Sequence, residues 1–257
     1  MTSPTCLYRP PQEQNGPDTM ANTYFQFKQF TVYQERSAMK VTTDGCLFGA
    51  WVAKEMENEK WRMENALDIG AGTGLLSLMI AQKNAIHIDA VEIDQQAAKQ
   101  ASQNCAKSPF STIAVIEGDI LKAGLDPYDI IFSNPPFYEN ELTSPDASRA
   151  AAHHGQGLRW NDLFSFIANQ LKENGCFFLL LPAKRAPEAE SLLVGNKLFI
   201  NKKVWVKNTA SAQPFRLMIK GGSKEMPVVA SDLIIKTSNN IYTPDFISLL
   251  KDYYLHL

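Results

Sequence analysis

The sequence of 257 residues has no long apolar run and little cysteine. Its longest apolar run, residues 176–181 (CFFLLL), has the length of a strand, whereas a membrane-spanning helix needs about 18 apolar residues or more. Tyr8, Pro10 and Pro11 stand where a secretory signal would have an apolar core. The four cysteines are too widely spaced for a metal-binding pair or a disulfide framework; they are Cys6, Cys46, Cys105 and Cys176. We therefore expect a cytoplasmic protein with reduced thiols, no membrane span and no metal.

The chain as a whole also has no large excess of positive or negative charge, because its net charge is −2. One segment differs, because residues 184–224 contain nine Lys or Arg and two Glu, a net charge of +7. Such a segment is typical either of a surface that faces nucleic acid or of solvated strands and loops. Its candidate RNA contacts are Lys184, Arg185, Lys202, Lys203 and Lys207.

Apolar residues make up 45% of the chain and charged residues 20%, which is typical of a globular protein. Residues 1–22 are polar, proline-rich and aperiodic, and we expect them to be a disordered tail. The rest, residues 23–257, is predicted to form one domain, in which residues 23–60 are an N-terminal cap segment. A chain of this length can bury enough surface to fold without a metal or disulfide. We expect the protein to be a monomer.

From residue 65 onward, strand-like apolar runs alternate with helical patterns. This alternation predicts parallel βαβ units with helices on both faces of a sheet, an α/β fold. The predicted helices are 73–83, 95–106, 158–172 and 186–194, and the predicted strands are 66–68, 86–92, 112–116, 128–133, 177–181, 204–207, 215–220 and 232–236.

A glycine-rich loop joins the first predicted strand to the first helix, and acidic residues end the next two strands. The spacing G-x-G-x-G differs from the dinucleotide fingerprint and from a phosphate-binding Walker loop. Glycines there permit a tight turn and close approach of the backbone to a ligand. Glu92 can accept both hydroxyls of a ribose, and Asp119 can accept from an adenine amine. The pattern predicts an adenosine ligand, held by Asp68, Gly70, Gly72, Gly74, Glu92 and Asp119.

The sequence Asn134-Pro135-Pro136-Phe137 directly follows a predicted strand, so it faces the same edge of the sheet. An amine on an aromatic ring is a poor nucleophile because its lone pair is delocalised. The Asn134 side-chain oxygen and the Pro135 carbonyl can both accept from its N–H groups, which favours a pyramidal nitrogen. Phe137 can stack on a planar base for about 1–3 kcal/mol. We interpret Asn134, Pro135 and Phe137 as catalytic residues.

Together, the glycine loop and the Asn-Pro-Pro-Phe motif resemble the class I S-adenosylmethionine-dependent methyltransferases that modify exocyclic amines. The resemblance covers about residues 65–220. It implies a Rossmann-like, seven-stranded, mostly parallel sheet whose last strand is antiparallel, with S-adenosylmethionine as cofactor. Such enzymes modify adenine N6, guanine N2 or the glutamine amide of release factors.

The N-terminal segment favours one of these three substrates. Residues 25–32 (FQFKQFTV) and 39–51 (MKVTTDGCLFGAW) resemble the bacterial tRNA1(Val) adenine-N6 methyltransferase family, and the resemblance covers almost all of the chain after residue 23. It implies methylation of the adenine 3′ of the valine anticodon, and it places Thr43 and Asp44 against the methionine end of the cofactor. Read from the residues alone, Thr43 or Asp44 is an N-cap that starts a helix. Phe137 replaces the tyrosine common in the family.

Other readings stay open. Lys40 is a further candidate contact for an RNA phosphate or for the carboxylate of the cofactor, and Arg149 is a further candidate RNA contact. Either residue can also be an ordinary surface charge. The adjacent histidines His153 and His154 suggest a metal, but neighbouring side chains rarely point at one ion. A glutamine methyltransferase acting on a release factor would share the chemistry without needing a basic segment. A non-catalytic RNA-binding module and a DNA adenine methyltransferase are the remaining alternatives.

Overall fold

The computed structural model describes residues 22–37, 39–58, 63–135 and 158–257. The described chain opens with an antiparallel hairpin of two strands, β1 (Tyr24–Gln26) and β2 (Thr31–Tyr33). The described residues include no helix that is both long and apolar enough to cross a membrane.

Within the described residues, one sheet of eight strands follows the hairpin. These strands are β3 (Asn65–Ile69), β4 (His87–Glu92), β5 (Ile113–Glu117), β6 (Tyr128–Ser133), β7 (Leu171–Pro182), β8 (Phe199–Lys207), β9 (Arg216–Gly222) and β10 (Val229–Ile234). Their order across the sheet is β10-β8-β9-β7-β6-β3-β4-β5. Among these described strands, β9 alone is antiparallel to its neighbours, β7 and β8.

The expected α/β architecture with a mostly parallel sheet is confirmed. The expectation of seven strands with the last one antiparallel needs one correction. The antiparallel strand β9 is present, but β10 follows it in the chain and pairs in parallel with β8 at the edge of the sheet. The apolar pattern at residues 232–236 had indicated this eighth strand, a few residues later than its observed position.

The described helices are α1 (Thr43–Glu57), α2 (Leu75–Ala81), α3 (Gln95–Ala106), α4 (Trp160–Gln170), α5 (Ala186–Gly195) and α6 (Pro244–Leu250). The predicted helix 73–83 is shorter than expected because Gly74, at φ +79°, adopts a left-handed conformation that the helix cannot include. The strands β7 and β8 begin before residues 177 and 204, where the apolar runs had placed them.

Alternating side chains of the central strands supply two separate cores. Ile130 and Phe132 of β6 belong to the core beneath α1, α2 and α6, whereas Ile131 points to the opposite core beneath α4 and α5. This alternation is what a strand buried on both faces requires. The hairpin packs on the first core through Phe27, Phe30 and Val32. The sheet is therefore covered on both faces, and ligands have access to the ends of its strands.

Candidate active site

The carboxyl ends of β3, β4, β5 and β6 lie side by side along one edge of the sheet. The register pairs Ile69 with both Val91 and Ser133, and Glu92 with Glu117. The glycine loop, Glu92, Asp119 and Asn134 follow or end these strands, so all four features meet at this edge. In α/β sheets this is where ligands bind.

The glycine loop turns sharply because three of its residues have positive φ. Gly70 and Gly72 have φ of +75° and +57°, and a Cβ added to either would meet no atom of the described residues within 4 Å. Both residues therefore border open space that a ligand can fill. Gly74 is different, because a Cβ there would lie 3.4 Å from Cys105 Sγ and 3.5 Å from Ala101 Cβ. Gly74 lets α2 pack closely on α3, and its role toward a cofactor stays a prediction.

Glu92 is fixed at the end of β4 by two backbone donors. Its Oε2 accepts from Gly72 N at 2.8 Å, and its Oε1 accepts from Asp94 N at 2.9 Å. A carboxylate oxygen can accept more than one hydrogen bond, so each oxygen keeps capacity for a hydroxyl donor. The carboxylate is thus oriented in advance for a pair of neighbouring hydroxyls, as in a ribose.

Asp119 begins a short 3-10 turn, Ile120–Lys122, beyond β5. Its carboxylate accepts from Leu121 N at 3.0 Å and forms an ion pair with Lys122 at 3.1 Å. Ile93, directly after Glu92, is 56% exposed. A large aliphatic side chain exposed between two acidic residues offers an apolar surface to a planar base, and that exposure is not apparent from the sequence.

Asp68 lies at the end of β3 and is fully buried. Its Oδ2 accepts from Ser77 Oγ at 2.7 Å, while its buried Oδ1 has no hydrogen-bond partner among the described residues. Burial raises the pKa of Asp68 to about 7; the Ser77 hydrogen bond opposes this shift and the nearby Glu92 charge adds to it. An acceptor with no donor, next to the open glycine loop, is suited to a cationic or N–H group of a ligand.

We expect Asp68→Asn to stabilise the ligand-free protein at alkaline pH. The Asp68 pKa rises from 3.8 to about 7 on folding, so the folded state binds the extra proton between these values. The free energy of unfolding therefore falls as pH rises through this window. The variant keeps an acceptor for Ser77 but cannot ionise. Relative to wild type, its free energy of unfolding should rise by roughly 2 to 3 kcal/mol between about pH 5 and pH 8. Urea titrations at both pH values measure this change, and a constant offset would contradict it.

Asn134 directly follows β6, whose last residue, Ser133, donates from Oγ to Ile69 O at 2.7 Å. The Asn134 Nδ2 donates to Met39 Sδ at 3.7 Å, and its buried Oδ1 has no partner among the described residues. Pro135 is buried beside it. Phe137 lies outside the described residues, as do Arg149, His153 and His154. Met39 is separated from Asn134 by 95 residues, and no sequence pattern predicts their contact.

The start of α1 corrects one prediction. The N-cap is Thr42 rather than Thr43 or Asp44, because Thr42 has extended backbone angles and its Oγ1 accepts from Gly45 N at 3.3 Å. Thr43 is exposed in the first turn. Asp44 pairs with Arg216 Nε at 2.6 Å, which ties the start of α1 to the start of β9. Contact of Thr43 and Asp44 with a cofactor stays a prediction.

Most of the predicted RNA contacts have carboxylate or carbonyl partners. The ammonium of Lys40 donates to Gln34 O at 2.5 Å and Ser37 O at 3.0 Å. The four ion pairs are Arg185–Glu188 at 2.7 Å, Lys202–Glu55 at 2.7 Å, Lys203–Glu190 at 2.8 Å and Lys207–Asp232 at 2.5 Å. Lys184 is exposed. Glu55 and Asp232 lie outside residues 184–224, so the net charge of that segment overstates the local positive potential.

Among the described residues, no group of three or more His, Cys, Asp or Glu side chains could hold a metal ion. The site does fit S-adenosylmethionine. The glycines leave space beside the backbone, Glu92 is oriented for hydroxyls, and Asp68 presents a buried acceptor that has no donor among the described residues.

Solved structures share this arrangement of strands. A predicted O-methyltransferase from Agrobacterium tumefaciens superposes with a TM-score of 0.59 at 17% identity, covering 81% of this chain and 96% of that one. Trm5b from Pyrococcus abyssi superposes with a TM-score of 0.56 at 15% identity, covering 78% and 56%. Residues 50–192 match the family model described as methyltransferase small domain. The fold and the site thus define a class I S-adenosylmethionine-dependent methyltransferase.

Relatives of higher sequence identity show which family of methyltransferases the chain belongs to. Three examples are relatives from different genera that share the name tRNA1(Val) (adenine(37)-N6)-methyltransferase. The one from Bacteroides thetaiotaomicron is 36% identical over 242 residues, covering 93% of this chain and 100% of the relative. The one from Trichodesmium erythraeum is 36% identical, covering 92% and 99%, and the one from Pseudoalteromonas translucida is 37% identical, covering 91% and 99%. The chain belongs to the tRNA1(Val) (adenine-N6)-methyltransferase family.

Proposed function

We propose that the protein transfers a methyl group from S-adenosylmethionine to N6 of an adenine in tRNA, the adenine at position 37 of tRNA1(Val) that the names of its relatives specify. The observation that carries the proposal is the Asn134 Oδ1, a buried acceptor at the end of β6, beside the glycine loop, that finds no donor in the part of the chain that the structure describes. An exocyclic amine supplies the donor that this oxygen lacks.

The residues of this chain bind and orient N6 of the target adenine. When bound, S-adenosylmethionine supplies a methyl group on a sulfonium centre. Asn134 Oδ1 and the Pro135 carbonyl accept the two N–H groups of N6, which localises the lone pair on the nitrogen and aims it at the methyl. Phe137 stacks on the base. Transfer is direct, with no covalent enzyme intermediate, and the product loses one proton to water.

The target base must leave its stack to enter this site. An adenine beside the anticodon lies in a single-stranded loop, where unstacking costs less than in a duplex. Recognition of the tRNA backbone falls to Lys40, Arg149, Lys184, Arg185, Lys202, Lys203 and Lys207. Several of these cations exchange a carboxylate partner for a phosphate when RNA binds. In three of the pairs the carboxylate is 38–47% exposed, and such pairs contribute only about 0–1 kcal/mol, so this exchange is not costly. Glu55 is nearly buried, and Lys220, which lies 3.6 Å from it, stays beside it when Lys202 turns to a phosphate.

We also propose the organisation in which this activity resides. Residues 23–257 form one methyltransferase domain, with residues 23–60 as its N-terminal cap. The domain acts as a monomer in the cytoplasm. The hairpin of β1 and β2 supports the inclusion of the cap, because Tyr33 N donates to Asn104 Oδ1 of α3 at 3.0 Å.

We expect the protein to label tRNA when it is incubated with methyl-labelled S-adenosylmethionine. The substrate is total bacterial tRNA that lacks its own N6 modification, and the labelled nucleoside is identified after digestion. Label in N6-methyladenosine, abolished by prior RNase treatment, is the expected result. Label that resists RNase and appears instead in a release-factor fraction would contradict the proposal in favour of a glutamine methyltransferase.

A further inference from the structure

Met39 contacts the side chain proposed to hold the target amine. Its Sδ lies 3.7 Å from Asn134 Nδ2, which donates to it. The Met39 side chain is 38% exposed, so it borders the open part of the site. A thioether sulfur accepts hydrogen bonds weakly and donates none. Met39 can therefore face the NH2 end of the Asn134 amide but gives nothing to its oxygen.

The loop that carries Met39 is held in place by several hydrogen bonds. Ser37 Oγ donates to Met39 O at 3.0 Å, and the Lys40 ammonium closes the loop on two carbonyls. The buried Gln34 donates from Nε2 to Asn22 O at 2.7 Å and accepts at Oε1 from Val41 N at 2.8 Å. These bonds place the Met39 backbone before any ligand binds.

The chemistry requires one of two amide orientations. The oxygen and nitrogen of an Asn side chain are nearly equal in size but opposite in hydrogen-bonding character. With Oδ1 toward the target, Asn134 accepts from the N6 amine. With the amide turned over, its NH2 group would face the NH2 group of adenine, and two donors cannot pair. Something must therefore favour the first orientation.

We propose that Met39 is a positioning residue, whose sulfur holds the Asn134 amide with its oxygen toward the target amine. The identity of that amine rests on the proposed function. The orientation of the Asn134 amide does not, because it is a property of the ligand-free chain.

The kinetic test compares three variants. We expect Met39→Leu to lower kcat roughly fivefold, with an unchanged KM for S-adenosylmethionine. Met39→Gln restores an acceptor at similar length and should recover part of the loss. Met226→Leu is the matched control, because Asn201 Nδ2 donates to Met226 Sδ at 3.5 Å near the amino end of β8, away from the site. Met226→Leu should leave kcat unchanged. Equal losses in Met39→Leu and Met39→Gln would overturn the proposal.

A double-mutant cycle tests whether Met39 acts through Asn134. In an Asn134→Ala background, Met39→Leu should have no further effect on kcat, whereas a general packing role would lower it again by the same factor. A wild-type protein that leaves tRNA unlabelled would contradict the proposed function instead. The kcat values of the double-mutant cycle would then be measured with the acceptor that the protein does methylate.

A spectroscopic test needs no methyl acceptor. In ¹⁵N–¹H spectra of the ligand-free protein, the side-chain amide pair of Asn134 is identified by its loss in Asn134→Ala. We expect Met39→Leu to shift this pair clearly and Met226→Leu to leave it in place. An Asn134 amide pair that is unmoved by Met39→Leu would overturn the proposal even if tRNA methylation is fully confirmed.

Discussion

Replacing Asn134 with alanine lowers the turnover of tRNA methylation by roughly 100- to 1000-fold, because it removes an acceptor aligned with the reacting nitrogen. The lone pair of N6 becomes available only as the nitrogen turns pyramidal, so this hydrogen bond strengthens toward the transition state. The Kd for S-adenosylmethionine should change by less than about threefold, since the ribose and adenine contacts proposed for Glu92 and Asp119 are untouched.

Single-turnover methylation of tRNA measures the first quantity, and calorimetric titration with S-adenosylmethionine measures the second. Asn201→Ala is the matched control, because Asn201 also donates to a methionine sulfur and also has a buried Oδ1 without a partner among the described residues. It should retain wild-type turnover. Equal loss of turnover and of cofactor affinity in Asn134→Ala would contradict the assigned role, since the residue would then support the cofactor site as a whole.

Replacing Glu92 with alanine has the opposite effect: it weakens the binding of S-adenosylmethionine strongly and changes turnover much less. The carboxylate is oriented by Gly72 N and Asp94 N and is proposed to accept both ribose hydroxyls. Hydrogen bonds to a charged group contribute about 1.5–3 kcal/mol each, so the loss of two raises the Kd for S-adenosylmethionine roughly 100-fold or more. Turnover at saturating cofactor should fall much less, because Glu92 does not touch the reacting nitrogen.

Titration with S-adenosylmethionine, and with its demethylated product as a second ligand, measures this loss. Glu117→Ala is the matched control, because Glu117 ends the neighbouring strand in register with Glu92 but is exposed and hydrogen-bonds Gln95 Nε2 at 3.1 Å. It should change the Kd by less than about threefold. A Glu92→Ala variant that binds the cofactor as tightly as Glu117→Ala would show that the ribose lies elsewhere.

The sequence was sufficient to predict most of the fold and the position of the site. The alternation of apolar runs with helical periodicity predicted parallel strands, and parallel strands put their carboxyl ends at one edge. Gly70, Glu92 and Asn134 therefore had to lie close together, although 64 residues separate the first from the last. The N-cap was displaced by one residue because Thr42, Thr43 and Asp44 are all good capping residues, and only the backbone angles distinguish them.

The features that the sequence did not predict depend on contacts between segments that are distant in the chain. Met39 reaches Asn134 across 95 residues, and no local pattern marks it. The charge of residues 184–224 suggested a basic surface, yet Lys202 pairs with Glu55, which is 147 residues away. The net charge of a sequence segment includes Lys202 but not Glu55, because Glu55 lies outside the segment. The exposure of Ile93 likewise follows from how the loop after β4 leaves the sheet.

The central claim is that the acceptor is N6 of the adenine at position 37, and one pair of transcripts tests it most directly. Two unmodified tRNA1(Val) transcripts, one with adenosine and one with guanosine at position 37, are incubated with the protein and methyl-labelled S-adenosylmethionine. Digestion and mass spectrometry then identify the methylated nucleoside. We predict close to one N6-methyladenosine per adenosine transcript and none in the guanosine transcript. Equal methylation of both transcripts, or label in a nucleoside other than N6-methyladenosine, would contradict it.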